Sequence, residues 1–149
     1  SSLPGRFGIG CFSKSAYAFV DWLRDAGQTY WQILPLCPTG YGDSPYQSFS
    51  TFAGNPYFIS LESLVEEGVL TAWECGSADF GEDPRRVDYE KLYRNRLPLL
   101  RKACERSRLE GNADYEQFLA ENRGWLADYA LFMAAKDRFG GKPWTDWPA

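Results

Sequence analysis

The sequence predicts part of an α/β domain, and three observations lead to that prediction. A helix-like segment, a short apolar strand over residues 29–36 and a long loop follow one another along the chain. The strand is apolar at nearly every position, which is typical of strands buried on both faces of a parallel sheet. The rest of the chain is largely helical in pattern, with too few strands to complete such a sheet. The chain is therefore expected to belong to a larger domain.

The first predicted helix covers residues 15–26, because apolar residues recur at helical spacing and Gly27 can end it. The strand over residues 29–36 follows, with Pro35 near its end, where a missing ladder donor matters least. After the long loop, residues 57–61 are predicted as a second short strand or extended run. Residues 62–67 are predicted as a short helix closed by a glycine.

The C-terminal half is predicted to be mostly helical. Asp88 can cap one helix, which Pro98 is expected to break or kink, and Asn112 can cap another. A longer helix over residues 125–138 is expected to end at a Gly-Gly pair, and residues 142–149 are turn-like. The side chains expected to be buried on that longer helix are Leu126, Tyr129, Ala130 and Met133.

The loop over residues 37–56 has no sustained period of 2 or 3.6 and is rich in Pro, Gly and Ser. Loops of this length in compact domains are usually functional or disordered. Interleaved aromatic residues argue for an ordered loop, and α/β barrels and open α/β sheets place ligands in loops that follow parallel strands. The loop is therefore predicted to bind a ligand.

Composition narrows the class of function. The chain has 44% hydrophobic and 17% aromatic residues, a net charge of −4 and no histidine. That apolar content argues against disorder, and the acidic balance argues against nucleic-acid binding. No apolar run reaches the roughly 18 residues of a transmembrane helix. Without histidine, Ser-His-Asp and Cys-His catalysis are excluded within this chain.

The aromatic excess has two interpretations. Most aromatic side chains are expected to fill the core, and some could form a surface for ligands that are flat and have polar edges, with sugars the leading candidates. The four cysteines match no CxxC-type metal site, and they are expected to be reduced and buried in an intracellular, cytoplasmic protein. Their positions are Cys11, Cys37, Cys75 and Cys104.

A family resemblance rests on the loop. The string PTGYGDSPYQSFSTFAGNPYF, preceded by YWQILPL, resembles the N-terminal region of the 4-α-glucanotransferases, the amylomaltases or disproportionating enzymes related to α-amylases. The strings SSLPG, VDYEKLY, DYALFMAAK and PWTDWP fit in the same order, with Ser in the first where the family has Thr. The resemblance implies the N-terminal part of a (β/α)₈ barrel with an inserted helical subdomain. Residues 1 to about 70 would hold the first barrel units and the substrate loop, and residues from about 71 to 149 the insertion.

The resemblance also implies an activity. Members transfer segments of 1,4-α-glucan to glucose or another glucan by a retaining double displacement. The family's catalytic carboxylates lie on later barrel strands, so no catalytic residue is assigned in this chain, and neither a cofactor nor a metal is implied. The alternative is a non-catalytic glucan-binding module. A hydrolase of the α-amylase group is a weaker possibility, against which the string SPYQSFS argues.

Five substrate-binding residues are proposed by matching family motifs. Tyr46 matches a tyrosine that stacks beneath the sugar at the cleavage subsite, although it could instead pack into the loop. Ser44 matches a polar contact or is a turn residue, and Asp43 could bind a sugar hydroxyl or close an Asx-turn, with the turn favoured. Tyr41 and Tyr93 match a second glucan site of some members, although Tyr93 also fits an apolar helix stripe. The expected partner is an α-1,4-glucan, and the oligomeric state is not predicted.

Overall fold

The computed structural model describes residues 2–40, 42–83 and 85–148. These described ranges contain helices and turns and no strand. The chain divides into two compact units, one up to Ser107 and one from Arg108 onward. The α-helices are α1 Lys14–Asp25, α2 Leu61–Glu66, α3 Ala72–Gly76, α4 Tyr89–Lys91, α5 Leu97–Arg106, α6 Ala113–Asn122 and α7 Leu126–Arg138. Shorter turns are the 3₁₀ helices Pro56–Phe58 and Trp144–Asp146 and the π-helical turn Leu92–Arg96.

The end of α1 confirms its sequence prediction. Gly27 has a φ of 71°, in the left-handed region that a residue without Cβ adopts readily. Its N–H donates to the Arg24 carbonyl at 2.9 Å, and the Gln28 N–H donates to the Leu23 carbonyl at 2.9 Å. This pair of bonds is the Schellman motif, which satisfies the last carbonyls of the helix.

The prediction of a buried strand over residues 29–36 is wrong for this chain. The segment is extended, but it forms no ladder, and its side chains are exposed, with Tyr30 at 91% and Leu34 at 53%. A parallel strand needs neighbouring strands for its N–H and C=O groups, and the described residues supply none. The apolar pattern is that of a buried strand, but the described part of the chain leaves these side chains exposed.

For residues 57–61 the predicted strand is wrong, and the alternative of an extended run holds only at Ile59 and Ser60. The Asn55 side chain accepts the Tyr57 N–H at 2.9 Å and caps the 3₁₀ turn, and the Ser60 hydroxyl accepts the Ser63 N–H at 3.1 Å and caps α2. Two polar side chains therefore offer the backbone local partners, which compete with an extended ladder. The helix predicted after it is confirmed, since α2 ends just before Gly68, whose φ is 77°.

The core of the first unit lies between α2, α3, α5 and the N-terminal segment. Its buried side chains include Leu61 and Leu92, each with no exposed surface. Gly8 packs against this core at a φ of 77°, and a Cβ there would lie 2.7 Å from the Cβ of Phe80. The remaining buried members are Ile9, Tyr57, Leu70, Cys75, Phe80, Leu99 and Ala103.

Asp88 caps α4 as predicted, accepting the Lys91 N–H at 3.0 Å. The predicted break at Pro98 does not occur, because helical backbone continues from the π-helical turn directly into α5. Pro98, the second residue of α5, therefore lies inside a continuous helical stretch, where its missing N–H and its ring disturb the α-helical hydrogen bonds of the preceding turn. The irregularity therefore lies before the proline, in residues 92–96.

The short helix α3, which lies in a region without a predicted element, is tied to α5 by charge. Glu74 accepts hydrogen bonds at 2.9 Å from Lys102 and from both terminal nitrogens of Arg106. These bonds, led by those of Arg106, hold the pKa of the Glu74 carboxyl well below its usual range. Thr71 begins the helix with a reciprocal capping box to the same glutamate.

In the second unit, Asn112 caps α6 as predicted by accepting the Tyr115 N–H at 3.0 Å. The predicted burial on α7 is wrong for this chain: Leu126, Tyr129 and Met133 are only half-buried, and Ala130 is exposed. A unit of about 40 residues is too small to enclose a helix. Across the described ranges, no helix is both long enough and apolar enough to cross a membrane.

Candidate functional site

The loop over residues 37–56 is held at its base and near its end by hydrogen bonds. The Asn55 N–H donates to the Leu36 carbonyl at 2.8 Å, which joins the two ends of the loop. Near the end, the Ser48 hydroxyl donates to the Ser50 carbonyl at 2.7 Å, and the Ser50 hydroxyl accepts the Ala53 N–H at 3.1 Å. Loops longer than about 12–15 residues are usually functional or disordered, and these bonds give the described part of this loop a defined backbone.

Tyr46 presents its ring on the surface of this loop. The side chain is 74% exposed, so it does not pack into a core within the first unit. Its N–H donates to the Ser44 hydroxyl at 3.3 Å, and the Gln47 N–H donates to the Ser44 carbonyl at 3.1 Å. Half-buried Ser44 therefore forms a turn that holds the backbone at Tyr46.

Asp43 has a φ of 54°, in the left-handed region that is uncommon for residues other than glycine. Its N–H donates to the Gly40 carbonyl at 3.2 Å. The favoured Asx-turn is not formed, because the residue two positions on is Pro45, which has no N–H to donate. Burial raises the pKa of the Asp43 carboxyl.

The negative charge of Asp43 contributes to the pKa values of two tyrosines. Burial, with a further contribution from Asp43, raises the pKa of Tyr57 to about 12 and also raises the pKa of Tyr89. Their ring centroids are 6.3 Å apart. Because even an ordinary tyrosine, with a pKa of about 10, is protonated at neutral pH, both phenols are hydrogen-bond donors there.

A cavity of about 490 Å³ lies beside this group. It is lined by residues 9–12, by residues 31–36 and by the polar side chains of Asp43, Asn55 and Tyr89. Most of the lining is apolar, and a few polar groups converge on it, as is usual for small-molecule sites. Ser44 and Tyr46 do not line it, so the loop presents Asp43 to the cavity and Tyr46 to solvent.

Tyr93 lies on the π-helical turn, and its side chain is 55% exposed. Its neighbour Leu92 and the following Arg96 are fully buried, so the turn presents Tyr93 on its outer side. Tyr41, the other half of the predicted second site, lies outside the described residues. The pairing of Tyr41 with Tyr93 therefore stays a prediction.

Sequence reasoning missed Arg96 and the phenols of Tyr57 and Tyr89. A signal for Arg96 was present, because it lies four residues after Leu92 and three before Leu99, on the apolar stripe of its helix. No such signal marked the two tyrosines, whose approach to Asp43 depends on the fold of the loop. In the part of the chain that the structure describes, no group of three or more His, Cys, Asp or Glu side chains could hold a metal ion.

The chain is similar in sequence to known proteins along its whole length. A family model described as 4-alpha-glucanotransferase matches residues 1–149. A 4-alpha-glucanotransferase from Streptococcus pneumoniae is 54% identical over 149 residues, covering 99% of this chain and 30% of that protein. A chloroplastic/amyloplastic 4-alpha-glucanotransferase from Oryza sativa subsp. japonica is 39% identical over 157 residues, covering 99% of this chain and 26% of that protein.

A solved structure agrees with the sequence relatives. Amylomaltase from Streptococcus agalactiae in complex with acarbose superposes with a TM-score of 0.91 and 45% identity. The likeness covers 99% of this chain and 30% of that chain. The chain thus spans less than a third of the length of these relatives.

Proposed function

This chain belongs to the 4-alpha-glucanotransferase family, and from that premise we propose that the protein transfers segments of 1,4-α-glucan to glucose or to another glucan. The observation that carries the proposal is the family match over residues 1–149. Because the chain spans about 30% of the length of the bacterial relatives, the activity is assigned to a longer protein of which this is the N-terminal segment. That longer protein is called the intact protein below.

The proposed reaction is a retaining double displacement. A carboxylate attacks the anomeric carbon while a carboxylic acid protonates the leaving oxygen, and the same acid/base then activates the incoming sugar hydroxyl. None of these roles is assigned to the present chain. Two of its aspartates already have structural partners: Asp79 forms a 2.8 Å ion pair with Lys91, and Asp88 caps α4.

The segment is proposed to supply substrate contacts from the loop. Tyr46 would stack beneath the sugar at the cleavage subsite, where the face of an aromatic ring favours the partial positive charge of an oxocarbenium-like transition state. The exposure of its ring and the turn at Ser44 support this role. Ser44 and Asp43 are proposed as polar contacts, and the position of Asp43 on the cavity supports its inclusion.

A second glucan site at Tyr41 and Tyr93 is also proposed, supported by the exposure of the Tyr93 ring. The fold of the intact protein is proposed to be a (β/α)₈ barrel in which residues 29–36 pair with strands outside this chain. Within it, residues 1 to about 70 would form the first barrel units and residues from about 71 to 149 the helical insertion. A cytoplasmic location is proposed; the rice relative is named as chloroplastic/amyloplastic, so location differs among family members.

The alternative is a glucan-binding module without catalysis. The loop, its turn and the cavity are the features of this chain on which such a module would bind a glucan. Both proposals make an α-1,4-glucan the binding partner, and neither requires a cofactor.

Product analysis with maltotriose tests the proposed function. The intact protein is expected to convert maltotriose into glucose and longer maltooligosaccharides while the number of reducing ends stays constant, because transfer makes one bond for each bond it breaks. Chromatography of the products and a reducing-end assay measure both quantities. Absence of product would favour the binding module, and reducing ends rising in step with glucose would identify a hydrolase.

A further inference from the structure

Arg96 is fully buried on the π-helical turn, and its guanidinium bonds two distant parts of the backbone. One terminal nitrogen donates to the Phe7 carbonyl at 3.1 Å, and the other donates to the Ile59 carbonyl at 2.5 Å. Phe7 belongs to the N-terminal segment, and Ile59 follows the loop over residues 37–56. The side chain thus joins the chain before α1 to the chain after the loop.

The electrostatics of this position are unfavourable. Among the described residues, no carboxylate lies within ion-pair distance of Arg96, and its Nε has no hydrogen-bond partner. Burial accordingly lowers the pKa of the guanidinium. The nearby Cys11 and Glu62 side chains favour the charged guanidinium, but burial outweighs them. Apolar side chains of similar volume often stabilise such buried charged positions equally well or better. Stability alone is therefore a poor account of an arginine here.

The two bonded carbonyls lie next to the walls of the cavity in sequence, Phe7 two residues before Ile9 and Ile59 directly after Phe58. Residues 9–12 form one wall, and Asn55 and Phe58 contribute to the other. The same walls are joined by one direct bond, from the Phe12 N–H to the Phe58 carbonyl at 2.9 Å. Arg96 adds two bonds, to the Phe7 and Ile59 carbonyls, which link the segments next to these walls.

We propose that Arg96 is a positioning residue for substrate binding, which fixes the exit of the loop over residues 37–56 and so the placement of its substrate-facing side chains. The inference rests on the proposed function of the loop. Tyr93 lies on the outer side of the same turn, three residues before Arg96. The π-helical turn therefore carries both Tyr93 and Arg96, the residue that bonds the chain at the end of the loop. Turns of this kind are frequently found at functional sites.

Substitution in the intact protein tests this role. R96M removes both bonds and the charge, and R96K retains the charge with a single compact donor group in place of the planar fork. R106M is the matched control. Arg106 lies on α5 and bonds Glu74 and the Val69 carbonyl, none of which lines the cavity. KM and kcat for maltotriose and the Kd for acarbose are measured at a temperature well below the lowest Tm of the set, and each Tm is measured on the same preparations.

A displaced loop weakens ground-state and transition-state binding together, so R96M should raise KM and the acarbose Kd about tenfold with kcat changed by less than about threefold. R96K should fall between R96M and the unsubstituted protein, and R106M should lower Tm alone. A protein that binds acarbose without turnover would refute the proposed transfer reaction, while the Kd ratio would still support the role of Arg96. The proposal is overturned if R96M changes Tm but neither KM nor Kd, if both Arg96 variants fail to fold, or if the unsubstituted protein binds neither sugar.

Discussion

Replacing Tyr46 with alanine in the intact protein is expected to lower kcat/KM for maltotriose by about 10–100-fold, because lost stacking at the cleavage subsite costs about 1–3 kcal/mol. The ring is 74% exposed and makes no core contact in the first unit, so the free energy of unfolding should change little. Steady-state kinetics and thermal unfolding of the same preparation separate the two effects.

Tyr46→Phe is the matched control for that experiment. It keeps the aromatic face and removes only the hydroxyl, so it should retain most of the activity if stacking is the main contribution. An unchanged rate in Tyr46→Ala would contradict the stacking role of the tyrosine. A loss of equal size in both variants would assign the role to the phenol hydroxyl instead of the ring.

The isolated segment is expected to give no turnover of maltotriose, whereas the proposed function predicts turnover by the intact protein. The reason is that the family resemblance implies a nucleophile and an acid/base carboxylate on later barrel strands, outside this chain. Glucose release is measured for both proteins at equal concentration, with the intact protein as the control. Glucose produced by the purified segment would contradict the assignment of catalysis to the rest of the protein.

The same segment should also unfold without a sharp transition. Its extended run over residues 29–36 leaves large apolar side chains exposed, including Ile33 at 49% and Leu34 at 53%. Unpaired backbone and exposed apolar surface of this kind favour association with other chains. A cooperative, concentration-independent thermal transition would show that the segment folds alone.

Local signals made part of this fold predictable. The end of α1 at Gly27 and the caps at Asp88 and Asn112 depend on side chains within a few residues of the helix end, so the sequence contains the whole cause. The extended segment over residues 29–36 is a different case from these helix ends. A buried parallel strand forms only when neighbouring strands are present to pair with it. An apolar pattern can indicate that such neighbours are needed, but it cannot supply them.

Some features of the candidate site were likewise predictable from the sequence, and others were not. The loop was predictable from its length, its Pro and Gly content and its aromatic residues, and the family resemblance drew attention to Ser44 and Tyr46. The approach of Tyr57 and Tyr89 to Asp43, and the bonds of Arg96 to Phe7 and Ile59, join residues far apart in sequence. No local pattern carries such information, because those contacts exist only after the chain has folded.

A crystal structure of the intact protein with acarbose tests the central claim most directly, since an amylomaltase that superposes on this chain was solved in complex with that molecule. The claim is that the loop over residues 37–56 forms part of the substrate site. We expect a ring of the bound acarbose to lie against the face of Tyr46, with Ser44 or Asp43 within hydrogen-bond distance of a hydroxyl. Acarbose bound with every residue of the loop out of contact would contradict the claim.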